Sequence, residues 1–224
     1  VSGRPTCIAF GSDGSIYLGE TQGGLWKSTD QGTNWTPLSD QWPTLAIGGV
    51  AVDPKNPKVI YAGTGQGMAF LDDVGNEYPV VGPASGGTGV LKSTDGGLNW
   101  YLCYPKVGLV TSGMQVNWAN SNLVYLAYNQ GIMMSSDSGA TWTSVLKTNT
   151  SASFALGTNL VIDPKDAAVL YAAGGGVAAH QQTPSSNASI YKSTDSGRTW
   201  RKLTPTYTGP MINLAISPAN HLKL

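Results

Sequence analysis

The residues of this chain with most scope for chemistry are its carboxylates, and they occur in two settings. The first lies between residues 65 and 89, where Asp72, Asp73 and Glu77 are close to Phe70, Asn76 and Tyr78. Phe70 or Tyr78 could stack on a sugar or peptide while the acids accept its hydrogen bonds. Two carboxyls held ~5–10 Å apart would do general acid/base work on a glycosidic bond. Asp72, Asp73 and Glu77 are therefore the nearest approach to catalytic candidates. Asp72, Asp73, Asn76 and Glu77 also offer oxygens to calcium, although the EF-hand spacing is absent. A solvated surface loop with no chemistry explains the same composition.

In the second setting one acid recurs inside one pattern. Ser28, Asp30, Gly32 and Trp35 recur as Ser93, Asp95, Gly97 and Trp100, as Ser135, Asp137, Gly139 and Trp142, and as Ser193, Asp195, Gly197 and Trp200. All four copies read S-x-D-x-G-x-x-W, and Lys27, Lys92 and Lys192 precede three of them. Ser and Asp close turns by bonding nearby backbone N–H groups. The glycine supplies a position that requires positive φ, and the Trp starts a strand and buries a ring between sheets. The pattern is a hairpin corner, so these acids are structural rather than catalytic.

Other candidates are single residues. His180, between Gly174 and Ser189, is a ligand contact in one reading and a solvated side chain in the other. Trp42 is a stacking platform or a ring packed on a neighbouring sheet. With His180 and His221 as the only histidines, no Ser/His/Asp arrangement is credible. Gly174-Gly175-Gly176 lacks the Lys-Ser/Thr ending of a phosphate loop.

Each corner ends a longer unit. Ile8-Ala9-Phe10 and Ile16-Tyr17-Leu18-Gly19 are short strands around a turn, and the pair recurs at 50–52 with 59–63, at 116–118 with 124–127, and at 160–162 with 169–173. With one strand entering the corner and one leaving it, each unit has four strands, A to D: one propeller blade. The blades span about 6–40, 46–105, 113–147 and 157–205, and an unpaired innermost strand follows at 211–218. Four blades plus a strand lead to the expectation that the chain is part of a six- to eight-bladed propeller, with a mature or trimmed N-terminus.

Blades 2 and 4 are longer between strands B and C. Tyr61 precedes Trp100 by 39 residues and Tyr171 precedes Trp200 by 29, whereas Tyr17 precedes Trp35 by 18. Because strands alternate direction, these insertions share a face with the D–A loops, opposite the corners. That face is where binding is expected.

The corners and the Asp-Pro-x-Asn-Pro run at 53–57 resemble the Asp-box (BNR) repeat of β-propellers, as in sialidases, sortilin-type receptors, xyloglucan-active glycoside hydrolases and exported bacterial BNR-repeat proteins. The resemblance covers essentially the whole chain and implies that the corner between the third and fourth strands is structural. Sialidase chemistry needs an arginine cluster, and only Arg4, Arg198 and Arg201 are present. Hydrolases acting on xyloglucan place a carboxylate pair between two propellers, and no partner for Asp72, Asp73 or Glu77 is identifiable.

Zero net charge, from 13 basic and 13 acidic residues, argues against a nucleic-acid partner. No apolar run is long enough for a membrane span. Cys7 and Cys103, on predicted inner and outer strands, make no disulfide framework. No cofactor is implied. Sequons at Asn34, Asn149 and Asn187 are weak signals. The expectation is a secreted or cell-surface binding or scaffold propeller contacting protein or glycan, alongside other copies or the remainder of a larger chain. The alternative is a hydrolase module acting on β-glucan or xyloglucan.

Overall fold

Short apolar runs, cut every five to ten residues by Gly, Pro, Asn, Asp and Ser, leave the chain little choice but antiparallel strands. The computed structural model describes residues 4–66, 68–71, 77–80, 86–148, 159–174, 189–203 and 214–219, with backbone alone for 68–71 and 77–80. No helix occurs among them.

The first sheet runs β1 (Pro5–Phe10), β2 (Ile16–Glu20), β3 (Gly24–Ser28), β4 (Thr36–Pro37) in spatial order. The second begins with β5 (Ile47–Asp53) and β6 (Asn56–Thr64). A separate hairpin, β7 (Met68–Leu71) with β8 (Glu77–Val80), intervenes before β9 (Gly87–Ser93) and β10 (Tyr101–Leu109) complete that sheet. The third is β11 (Thr111–Val116), β12 (Val124–Tyr128), β13 (Gly131–Ser135), β14 (Thr143–Lys147). The fourth is β15 (Asn159–Ile162), β16 (Leu170–Gly174), β17 (Ser189–Ser193), β18 (Arg201–Lys202). Every pairing is antiparallel, as in propeller blades.

The innermost strands β1, β5, β11 and β15 pack on one another in that order. Three cores fill the spaces between consecutive sheets. Tyr17, Leu25, Ile47, Val50 and Ile60 join sheets 1 and 2. Ala51, Tyr61, Val90, Met114 and Leu126 join 2 and 3, and Tyr125, Ile132, Leu160 and Leu170 join 3 and 4. A strand buried on both faces reads as a continuous apolar run, and β12, wholly buried, does so. Among the described residues no core joins sheet 4 to sheet 1.

Strand A of the third blade differs from expectation. It ends at Val116. Asn117 instead closes a turn, its Oδ1 accepting the N–H groups of Ala119 and Asn120 at 3.0 and 3.1 Å. Asp53 and Asp163 do the same for Lys55 and Lys165, at 2.9 and 2.8 Å, so Asn117 takes a carboxylate's place in an Asx-turn. At the other end of the chain, residues 214–217 form no strand, and 211–213 lie outside the described residues. An innermost blade strand takes its ladder from the strand that follows it, and none of the described strands stands in that place. Cys7 on β1 and Cys103 on β10 are both free thiols. Burial raises the Cys7 thiol and pushes Cys103 up to about 11.

Leu126 is fully buried, whereas Leu98 is 82% exposed. Leu126→Ala should lower stability by about 2–5 kcal/mol and Leu98→Ala by less than about 0.5 kcal/mol, measured as urea midpoints at constant m-value.

Candidate functional site: the insertion face and the four corners

Each corner is built the same way. The Ser hydroxyl donates to the Asp Oδ1 at 2.8 Å in all four. The same Ser Oγ accepts the Gly N–H, at 2.9 Å from Gly32, Gly97 and Gly197 and 2.7 Å from Gly139. The glycine φ lies between 81° and 95°, and the preceding residue (Gln31, Gly96, Ser138, Ser196) is also left-handed, between 57° and 79°. Two successive left-handed residues reverse the chain with the twist that a tight hairpin needs. The strand after the corner begins one residue beyond the Trp, because the Trp completes the turn: its Nε1–H donates to the glycine carbonyl at 2.9–3.0 Å.

The Asp collects further donors from the seventh residue. The backbone N–H groups of Asn34, Asn99, Thr141 and Thr199 reach Oδ1 at 2.8–2.9 Å. Their side chains reach Oδ2 at 2.5–2.8 Å. Such donors favour the charged form. The N–H of Asn99 and then its side-chain amide hold Asp95 at about 2. For Asp137 and Asp195, also at about 2, the Thr141 and Thr199 hydroxyls are the largest cause. Asp30 is lowered by Asn34 in the same way. Acids this saturated and ionised are poor bases and poor proton donors at neutral pH.

One carbonyl of each later corner faces the preceding sheet. Lys27 Nζ donates to Gly96 O at 2.8 Å. Lys92 Nζ and the Tyr61 hydroxyl both donate to Ser138 O, at 2.8 and 2.9 Å. The Tyr125 hydroxyl donates to Ser196 O at 2.9 Å. Lys27, Lys92 and Lys192 lie over the rings of Tyr17, Tyr61 and Tyr171, 5.2–5.4 Å from the ring centres. The sequence signal for this clasp, a Lys before the corner and a Tyr on every strand B, was visible but not connected.

The opposite face is stitched by threonines. The Thr6 hydroxyl of sheet 1 donates to Ile47 O of sheet 2 at 2.6 Å. That of Thr111 in sheet 3 donates to Thr64 O of sheet 2 at 2.9 Å. The backbones come so close here that a Cβ on Gly48 would lie 2.0 Å from Thr111 O. Glu20, unremarked in the sequence, is fully buried at the end of β2, where a side chain on Gly23 would overlap its carboxyl. Asp40 lies exposed in the connection between β4 and β5 on the same face.

The hairpin β7–β8 rises between β6 and β9 on this face, and its register pairs Phe70 with Tyr78 and Leu71 with Glu77. Asp72, Asp73, Asn76 and His180 lie outside the described residues. Trp42 is half-buried and packs edge-on against Trp100, ring centres 5.0 Å apart at 74°, within the core between sheets 1 and 2. Arg198 sits at the fourth corner, its guanidinium donating to Asp195 O. Among the described residues no three His, Cys, Asp or Glu side chains gather where a metal could be held.

No protein-family model matches the chain, and no curated protein does. Solved structures do. An ancestral GH74 enzyme superposes with a TM-score of 0.63 at 21% identity, over 89% of this chain and 25% of that one. YCF48 bound to D1 peptide gives 0.51 at 17% identity, over 90% and 53%. The extracellular domain of BT4673 from B. thetaiotaomicron gives 0.53 at 14% identity, over 94% and 24%. The chain thus spans between a quarter and about half of these proteins, and what it shares with them is the β-propeller fold.

The corner acids fix the acid limb of stability. Their folded pKa values lie below the ordinary unfolded value of about 3.9, so their contribution is complete above about pH 4 and is lost as pH falls toward 2. Carboxyl NMR should place the midpoints of Asp95, Asp137 and Asp195 near pH 2. Tyr125→Phe, which removes the bond to Ser196 O, should cost about 0.5–1.5 kcal/mol in a urea titration.

Proposed function

We propose that the chain is an Asp-box propeller segment that binds protein or glycan, without catalysis, through the face opposite its corners. The observation that carries this reading is the β7–β8 hairpin, a two-stranded sheet separate from the blade that bears it. It sets Phe70 opposite Tyr78, and two aromatic residues at one register position suit stacking on a sugar ring or a peptide side chain. In sequence Asp72 and Asp73 follow Phe70 and Glu77 precedes Tyr78, carboxylates suited to accept hydrogen bonds from such a ligand, and His180 belongs to the second B–C insertion in sequence. Trp42 contributes to packing between blades, so the binding pair is Phe70 and Tyr78. The likeness to YCF48 bound to D1 peptide, and to an extracellular domain, is consistent with an exported protein that binds a partner. Among the described residues no helix is long and apolar enough to cross a membrane.

Hydrolysis of a glycoside would need a second carboxyl ~5–10 Å from the first. Among the described residues whose side chains are placed, this face offers Glu20, fully buried, and the exposed Asp40.

The reading is tested by presenting the chain to arrays of immobilised glycans and peptides, together with a sugar-release assay on xyloglucan and other β-glucans. Saturable binding without release is expected. Phe70→Ala and Tyr78→Ala should each weaken binding about fivefold, from the roughly 1 kcal/mol of one ring contact. Sugar release abolished by Asp72→Asn, Asp73→Asn or Glu77→Gln would replace binding with hydrolysis as the function.

A further inference from the structure

Blade 2 differs from its sisters along its outer edge. The first two residues of strand D are exposed in every blade. They are Thr36-Pro37, Thr143-Ser144 and Arg201-Lys202 in three blades, but Tyr101-Leu102 in blade 2. Leu98 likewise stands where the other corners carry Thr, Ala or Arg. Leu98 is 82% exposed, Tyr101 50% and Leu102 45%, and Val107 farther along β10 is 92% exposed. Four of the eight exposed large apolar side chains among the described residues thus fall within ten consecutive positions. Scattered apolar residues mean little, whereas a concentration of them marks an interaction surface. Sheet 2 is packed by sheets 1 and 3 on its two sides, so this surface is the outer edge of a blade and not a bare blade face.

The backbone of that edge is open as well. β10 is outermost in its sheet, and one row of its N–H and C=O groups has no strand beside it. Proteins blunt such edges by keeping them short or charged. The other outer strands follow that rule, since β4 and β18 have two residues each, the latter Arg and Lys, and β14 begins with Thr and Ser. β10 has nine residues. A register shift falls at Cys103, and Pro105 has no N–H to give, so the ladder open to a partner is confined to residues 101–104.

We propose that the outer edge of β10 is a second binding site, which takes an extended peptide as a fifth strand of sheet 2. Successive strand residues point to opposite faces, so a body resting on one face of the sheet covers either Tyr101 or Leu102. A strand laid along the edge flanks both. In this mode the main chain supplies affinity and alternate side chains supply specificity. A stable dimer buries about 800 Å² and roughly 20–30 residues on each partner, more than this short edge offers, so the occupant is a peptide segment and not a second copy. Its side chains are apolar where they meet Tyr101 and Leu102. Lys106, exposed where the ladder stops, calls for a carboxylate at that end of the peptide.

Fluorescence anisotropy with synthetic decapeptides tests this. The probes alternate Val or Tyr with Thr and carry either Glu or Lys at both ends. The Glu series should bind saturably and the Lys series more weakly. Tyr101→Thr with Leu102→Ser gives blade 2 the residues that blade 3 carries at those places. That double variant should keep the wild-type circular dichroism and melting transition and lose about tenfold in affinity. Lys106→Glu should reverse the preference between the two series. Methylating alternate backbone nitrogens of the peptide should abolish binding in the register that faces β10. Absence of binding by every probe overturns the proposal, as does binding that the double variant or methylation in both registers leaves unchanged. A preference unmoved by Lys106→Glu removes the carboxylate and overturns it too. Loss of binding in Phe70→Ala would put the probes on the β7–β8 hairpin instead of this edge. Concentration-dependent dimerisation in light scattering, abolished by the double variant, would give the edge to a second copy.

Discussion

Everything in this molecule depends on a serine hydroxyl that bonds in two directions. Its proton goes to the Asp Oδ1 two residues on, and its lone pair takes the Gly N–H four residues on. Held this way, the chain passes through two left-handed residues and reverses. The reversal leaves one backbone carbonyl pointing out of the turn, unused by its own sheet, and at three of the four corners a Lys or Tyr from the preceding sheet takes it. A local turn motif thereby becomes the joint between blades. The stitching threonines of the opposite face complete each joint from the other end.

Packing follows from that joint. A sheet docked on both sides has no solvent face, so its middle strands are rich in apolar residues, and Tyr61 and Tyr125 enter where their hydroxyls find a corner carbonyl. Tyr61 shows the cost of burying such a ring: desolvation, first among several causes, raises its phenol well above the ordinary range, so it serves as a hydrogen-bond donor and not as an acid or base near neutral pH. The Tyr17 hydroxyl is buried with no bonding partner, while Lys27 takes the Gly96 carbonyl. Structure is thus concentrated at the corner face. Sequence length varies on the other, where insertions do not disturb the joints.

The all-β, four-stranded architecture was legible because Ser, Asp, Gly and Trp each have a separate physical task in the corner and recur at fixed spacing. What was misread shows where spacing stops being informative. Asn117 looked like part of a strand, since an amide can replace a carboxylate in an Asx-turn without altering the apolar run before it. The seventh corner residue, Asn or Thr, passed unnoticed because two chemically different side chains offer the same donor geometry to one carboxylate. Trp42 reads as a platform or a packed ring on sequence alone, and its packing against Trp100 depends on a residue of the next sheet that the sequence does not place. The candidate site was legible as a place, the B–C insertion of blade 2, but not as a shape: hairpin pairing between 68–71 and 77–80 is a register, and the polar residues between them hide it.

The central claim is that each corner holds its neighbour as well as itself, and native-state hydrogen exchange on Ser135→Ala tests it most directly. The account predicts faster exchange at Gly139 and, across the joint, along β6 around Tyr61, while Gly32 in the first corner keeps its wild-type rate. Faster exchange confined to the 135–142 turn, with β6 unchanged, would contradict it.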